Sequence, residues 1–421
     1  MNFSLRARLA VMMFLQYFVW GIWLPMLYQY IGPNGLQLDA RQIGWIFTVY
    51  GFGAILGPFL LGQLADRYFA TEMVLAVAHL LGGLLLIATA YATTFWSVFG
   101  LLFLYCNLYM PTMGLTNSIT FRTLGDERQN EFPIIRMFGT VGWIVAGLSY
   151  AVYLNSGSTA FMQPVFAIVG MPSNRDCLRV AGVVSLVYGL FCFALPHTPP
   201  VPAKETDPID KRSAVIESLE LMRHRSFAVL VTVAGLIGIM LAFYFQLENP
   251  FLESIGTDPT KVGAYMTIGQ VAEVLVMLLV PVAVATLGVK RTMILGASAW
   301  ALRFALSIYG QPWWLMIATI GLHGFCFGFF FVVAQMFVDR AASTDIKASA
   351  QNLLIFVVYG LGTILGNLLA GEVKGRFGDN WAAIWTGPFV LTILSIAVFA
   401  LFFHEEEIRK PVAQADPVLV P

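Results

Sequence analysis

The chain has 421 residues, 58% of them hydrophobic and 11% charged, with 24 Lys and Arg against 24 Asp and Glu and a mean hydropathy of +0.76. A soluble domain carries about a quarter charged residues, so this composition cannot cover a water-facing surface. It excludes an ordinary soluble enzyme, a disordered chain and a basic nucleic-acid binder, and leaves an integral protein of the lipid bilayer that binds no nucleic acid.

A spanning helix needs about 20 apolar residues, because the hydrocarbon layer is roughly 30 Å thick. Apolar runs separated by polar breaks predict twelve spans, at 9–30, 42–64, 72–92, 95–119, 134–154, 178–196, 227–249, 262–287, 292–309, 312–337, 348–370 and 381–403. Runs this long exclude a β-barrel, whose strands alternate over about ten residues. The first run continues past Trp23 with no small-residue cleavage site, so it is expected to stay as a span. Phe161–Met171 is too short to cross and is broken by Pro164 and Gly170, so 155–177 is expected to be an outside loop. The longest polar stretch, 197–226, carries Pro199, Pro200, Pro202 and Pro208 among charges. The predicted fold is therefore an all-α membrane protein of twelve transmembrane helices in two six-helix bundles. Residues 1–196 form the first bundle, 197–226 a cytoplasmic linker, 227–404 the second bundle and 405–421 a cytoplasmic tail.

The distribution of Lys and Arg orients the spans. With the N-terminus inside, 16 fall in inside segments, six outside, and Arg136 and Arg303 within spans. Both termini are thus expected in the cytoplasm. Spans 2 and 11 share a pattern, Tyr50-Gly51-x-Gly53-x-Ile55-Leu56-Gly57-x-x-Leu60-x-Gly62 and Tyr359-Gly360-x-Gly362-x-Ile364-Leu365-Gly366-x-x-Leu369-x-Gly371. Either convergent close packing or internal symmetry accounts for it.

An ionisable group at the bilayer centre costs at least about 2.5–3.5 kcal/mol, so it faces a partner or a wet cavity. Glu273 lies mid-way along span 8 and shares a face with Gln270. Water-poor surroundings disfavour a charged carboxylate, which suits a proton carrier; the alternative is a protonated or paired Glu that ties helices together. Arg136, Thr140 and Trp143 share one face of span 5. They offer guanidinium donors, a hydroxyl and a flat ring, although a terminal arginine also anchors helices at headgroups. Gln16, Trp20 and Trp23 share a face of span 1, and His323 and Phe327 a face of span 10. Tyr244, Gln246 and Asn249 gather near the outer end of span 7, where exposure to water is an equal explanation. Arg303 is expected to reach the outer surface from span 9.

Cys106, Cys177, Cys192 and Cys326 have no CxxC spacing, and neither a metal site nor a disulfide framework is suggested. There is no GxSxG, HExxH or phosphate-loop lysine pattern, so no enzyme activity or cofactor is expected. Uphill transport would have to draw on an ion gradient.

Gly62-Gln63-Leu64-Ala65-Asp66-Arg67 resembles the loop motif of the major facilitator superfamily, although Tyr68-Phe69-Ala70 replaces its glycine and basic residues. Longer stretches resemble the nucleoside:proton symporter family within it. They are Phe14-Leu15-Gln16-x-x-x-Trp20-Gly21-x-Trp23-Leu24, Tyr109-Met110-Pro111-Thr112-x-Gly114-Leu115-x-Asn117, Phe132-Pro133-x-Ile135-Arg136-x-x-Gly139-Thr140-x-Gly142, Trp300-x-Leu302-Arg303-Phe304-Ala305-Leu306-x-x-Tyr309-Gly310 and Ala348-Ser349-Ala350-Gln351. The resemblance implies the major facilitator fold, a bacterial inner membrane location and a nucleoside site on Arg136, Thr140, Trp143, Gln270 and Glu273. Elsewhere the chain departs from the family. The polar pair of span 7 falls on Ala242 and Phe245, with Gln246 and Asn249 nearby. In span 10 the tyrosine becomes His323, the aromatic is kept as Phe327, and the aspartate becomes Gly328.

The expected function is proton-coupled nucleoside uptake by alternating access, by a monomer. Glu273 is the proton-coupling group, and Arg136, Thr140, Trp143, Gln270, Glu273, His323, Phe327, Gln246, Asn249 and Gln16 are the substrate contacts. The alternatives are the same fold carrying a sugar or other polar solute, or acting without a proton, favoured by Gly328, and a non-transporting membrane sensor.

Overall fold

A computed structural model describes residues 3–62, 64–65, 68–125, 131–156, 171–200, 219–342 and 347–405. Every regular element among them is helical. Lipid offers no partner for a backbone N–H or C=O, and a helix satisfies both within itself. Among the described residues ten helices are long and apolar enough to cross a bilayer: 4–31, 40–62, 71–89, 95–124, 132–156, 225–254, 259–309, 313–341, 349–377 and 381–402. Nine overlay single predicted spans. The tenth contains predicted spans 8 and 9, and its 48-residue helix Val262–Tyr309 is broken at Gly288, where φ is 79°. An unbroken helix of that length would run about 72 Å, over twice the hydrocarbon thickness. Predicted span 6 is the shorter helix Asp176–Cys192. The Asp66-Arg67 pair, much of the 155–177 loop, 201–218 of the linker and the tail beyond Glu405 lie outside the described residues.

Helix starts follow from the local sequence. Asp39 caps Ala40–Gly57 by accepting from the Gln42 backbone N–H, while the Gln42 side chain accepts from the Asp39 N–H. Thr94 and Ser97 do the same for Phe95–Leu124. The buried apolar side chains form one large cluster drawn from Phe227–Phe403 and three smaller ones drawn from Leu9–Leu195. Within the first half, the missing side chain of Gly142 lets the helix Phe132–Ser156 lie on the Phe14 carbonyl.

The halves meet at the end remote from the chain termini. Arg41 is 2.7 Å from Glu372. Gln29 Nε2 donates to Glu253 at 2.8 Å and to the Pro259 carbonyl at 2.9 Å. Asn249 donates to the Pro25 carbonyl, and Asn367 to the Phe47 carbonyl at 3.1 Å. At the other end no hydrogen bond or ion pair joins the halves among the described residues, and large apolar side chains are exposed, among them Phe59, Ile134 and Leu278.

The repeated pattern lies on this boundary, and its packing favours symmetry over convergence. A Cβ on Gly51 would meet Ile364 Cγ1 at 2.6 Å and the Gly360 carbonyl at 2.9 Å; one on Gly360 would meet Ile55 Cγ1 at 2.6 Å. In the repeat Gly51 corresponds to Gly360 and Ile55 to Ile364. The contacts are therefore reciprocal, as around a two-fold axis. The symmetry fails away from the centre. Gly371 packs on Gly44, with its Cβ position 3.0 Å from the Gly44 Cα, whereas its counterpart Gly62 has nothing within 4 Å. One side of the crossing is closed and the other open.

Candidate functional site

Arg136 sits one turn into Phe132–Ser156, above Gly139. A side chain at Gly139 would meet the Tyr17 ring at 2.6 Å and Arg136 Nη1 at 2.8 Å. Its absence lets the guanidinium lie 4.1 Å over the Tyr17 ring, a contact worth roughly 0.5–2 kcal/mol. Arg136 makes no hydrogen bond or ion pair among the described residues, so its five donors are free. Thr140, one turn on, is half-buried. Trp143 is buried, edge-on to Trp20 at 4.9 Å, and Trp20 stacks on Tyr50 at 5.5 Å. Tyr17, Trp20, Trp143 and Tyr50 thus make an aromatic wall on the first half.

Glu273 faces this wall from the second half, with Gln270 one turn before it on the same helix. Both are half-buried, and neither has a hydrogen-bond partner among the described residues. Glu273 is within electrostatic reach of Arg136, and both act on Tyr17; no N···O approach within 4.0 Å pairs the two charges. Tyr359 is within reach of Glu273 as well. The helix carrying Glu273 rests on Gly324, where a Cβ would lie 2.8 Å from the Glu273 nitrogen. A cation and an acid therefore stand unpaired on opposite halves. Such a pair beside aromatic rings suits a neutral polar solute with donors at one edge, acceptors at the other and a flat face between.

The structure brings Arg136, Thr140, Trp143, Gln270 and Glu273 to one boundary. It also places His323 and Phe327 on the second half, their rings 6.1 Å apart. Gln16 is turned away, fully buried inside the first half. Its Nε2 donates to Thr112 Oγ1 at 2.7 Å, and His79 Nε2 donates to its Oε1 at 3.0 Å. His79 in turn lies 3.0 Å from Ser185. Both ends of the Gln16 amide are therefore engaged inside the first half. Gln246, Tyr244 and Asn249 are buried rather than washed by water; the Asn249 amide donates to Pro25 across the halves, and Gln246 Oε1 has no partner. Gly328 faces Val276, whose Cγ1 lies 3.0 Å from its Cβ position, so a small apolar neighbour fills the family's carboxylate position.

Arg303 corrects an expectation. It does not reach the surface: its side chain is 1% exposed and its Nη2 is 2.9 Å from Oε1 of Glu248, itself 3% exposed. Glu248 was missed in the sequence, where it reads as the polar end of span 7. Tyr17 carries only a weak signal in the sequence, the i, i+3 spacing to Trp20. Four free, buried cysteines and no metal-ligating cluster are found among the described residues.

The nucleoside H+ symporter family matches residues 1–408. The putative nucleoside transporter YegT of Escherichia coli is 33% identical over 418 residues, 95% of this chain and 94% of YegT. The nucleoside permease NupG of Escherichia coli is 29% identical, covering 97% of this chain and 98% of NupG. A crystal structure of a NupG mutant superposes with a TM-score of 0.83 at 27% identity, over 95% of this chain and all of that one. The match runs through the helices that carry Arg136 and Glu273, and the chain belongs to the nucleoside H+ symporter family.

Proposed function

We propose that this chain is a secondary active transporter that takes up nucleosides together with protons by alternating access. The observation that carries the reading is the unpaired Arg136 and Glu273 on opposite halves, in a chain whose family couples nucleosides to protons. Twelve spans fit best, since the Gly288 break divides Val262–Tyr309 into two and Asp176–Cys192 supplies one more. They form bundles over 1–196 and 227–404, joined by a linker over 197–226 and followed by a tail, with both termini in the cytoplasm of a bacterium whose inner membrane holds the protein as a monomer. The open side is then cytoplasmic, and the structure stands in an inward-open state.

In this reading Arg136 and Thr140 hold polar edges of the base, and the Trp20–Trp143 wall takes its flat face. Gln270 and Glu273 accept from sugar hydroxyls. Glu273 takes a proton when the site opens outward and releases it when the site opens inward. His323 and Phe327 close the second-half wall. The sugar alternative is weaker, since raffinose permease of Escherichia coli is only 22% identical. Reconstituted vesicles with an imposed inward proton gradient should accumulate labelled uridine, and unlabelled uridine but not raffinose should compete. Vesicles in which uridine neither accumulates nor competes would overturn the reading.

A further inference from the structure

The Glu248–Arg303 pair is shielded from lipid and water alike, with side chains 3% and 1% exposed. Buried ion pairs are poor sources of stability, because desolvation offsets most of their attraction. Charges within membrane spans generally serve function. What the pair touches indicates its task. The Arg303 guanidinium lies 3.9 Å over the Tyr244 ring, and both its Nη1 and Nη2 are buried with no hydrogen-bond partner, so Nη2 meets Glu248 as an ion contact alone. The Tyr244 hydroxyl donates to Met266 Sδ at 3.6 Å. Its ring lies 5.1 Å from the His323 imidazole, and Trp300 meets the same imidazole edge-on at 6.1 Å. His323 Nδ1 is buried without a partner. The His323 Cβ fits under Gly269, 3.2 Å from that residue's Cβ position and next to Gln270.

These contacts form one chain, from Glu248 through Arg303 and Tyr244 to His323 and the helix bearing Gln270 and Glu273. We propose that Glu248 and Arg303 are positioning residues that fix the second-half wall of the nucleoside site and so set affinity and choice among nucleosides. Glu248 holds the guanidinium flat on Tyr244, and Tyr244 holds the orientation of His323. This rests on the reading above that the wall meets a nucleoside. A pair that only tied Arg225–Ser254 to the segment after Gly288 would leave the wall unchanged when both charges are replaced by apolar groups of similar volume.

The test compares the full-length protein with Glu248→Leu/Arg303→Met, with Arg303→Lys, and with Tyr244→Leu, which keeps the ion pair but removes the ring between it and His323. Three readouts are taken: thermal unfolding, KM and kcat for uridine against cytidine in vesicles, and the rate at which diethylpyrocarbonate modifies His323, read by peptide mass spectrometry. The double variant should unfold within a few degrees of the parent, raise KM for uridine about tenfold with kcat little changed, shift the uridine-to-cytidine preference, and label His323 several-fold faster. Arg303→Lys should fall between, because it keeps the charge and loses the flat contact. Tyr244→Leu should reproduce the double variant, and serves alone if the double variant does not fold. Folded variants with parental KM, preference and His323 labelling would overturn the proposal. The labelling arm needs no nucleoside. A parent that transports no uridine therefore refutes the function above while the labelling still decides the role of the pair.

Discussion

Gly51 offers the sharpest perturbation of the closed side. In Gly51→Ala the new methyl would lie 2.6 Å from Ile364 Cγ1, 2.7 Å from Thr363 Oγ1 and 2.9 Å from the Gly360 carbonyl. Ile364 can yield, but the carbonyl belongs to a helix backbone and cannot. Overpacking of this kind costs about 1–3 kcal/mol. The cost falls on the state in which the outer ends are joined and is absent once the two helices part, so the substitution acts on a conformational equilibrium rather than on folding. A bias of that size changes the ratio of states about 5–150-fold. Gly360→Ala should do less, because its methyl would meet only the flexible Ile55 side chain closer than 3.5 Å. Gly114→Ala, with nothing within 4 Å, is the control. The assay is a spin-label distance between Asn34→Cys and Ser254→Cys, exposed residues at the ends of the two halves remote from the chain termini. The four native cysteines are buried and should not react. The parent should show one short distance, and Gly51→Ala a second, longer population. An unchanged distribution would refute the claim that this crossing closes the end remote from the chain termini.

Gln29→Ala removes both donations to Glu253 and Pro259. Since one acceptor is a carboxylate, it should weaken the same closure by about 1.5–3 kcal/mol, visible as the same longer spin-label population. Gly139→Ala would put a methyl between the Tyr17 ring and Arg136; uridine binding by calorimetry should weaken at least about tenfold while the melting temperature changes little, an effect of roughly 1.4 kcal/mol. Gln16→Leu leaves Thr112 and His79 without their amide partner inside the first half. It should lower stability by about 1–3 kcal/mol in thermal unfolding yet leave the KM of the folded fraction unchanged; a raised KM would return Gln16 to the substrate site.

Composition and apolar run length made the helices legible, because lipid leaves the backbone no other option. Helix ends were less so. A turn with Gly288 at positive φ joins two predicted spans with almost no non-helical residue. At the site, Arg136, Thr140, Gln270 and Glu273 stood out because polar groups are costly where they sit. Gln16 stood out for the same reason and is instead consumed by His79 and Thr112. Sequence shows that a polar group must be satisfied, not whether a protein partner or a ligand satisfies it. Glu248 and Arg303 are 55 residues apart and on different helices, so their pairing is a tertiary fact that no local spacing reveals. The repeat was visible, but only the reciprocal contacts of Gly51 and Gly360 distinguish symmetry from convergence.

In the proposed mechanism Glu273 carries the coupled proton. The most direct test is alkalinisation of the outside medium when uridine is added to vesicles containing the parent or Glu273→Gln. The parent should take up protons with uridine, whereas Glu273→Gln should move none and retain uridine exchange. Uridine-dependent proton uptake persisting at the parental stoichiometry in Glu273→Gln would contradict the account.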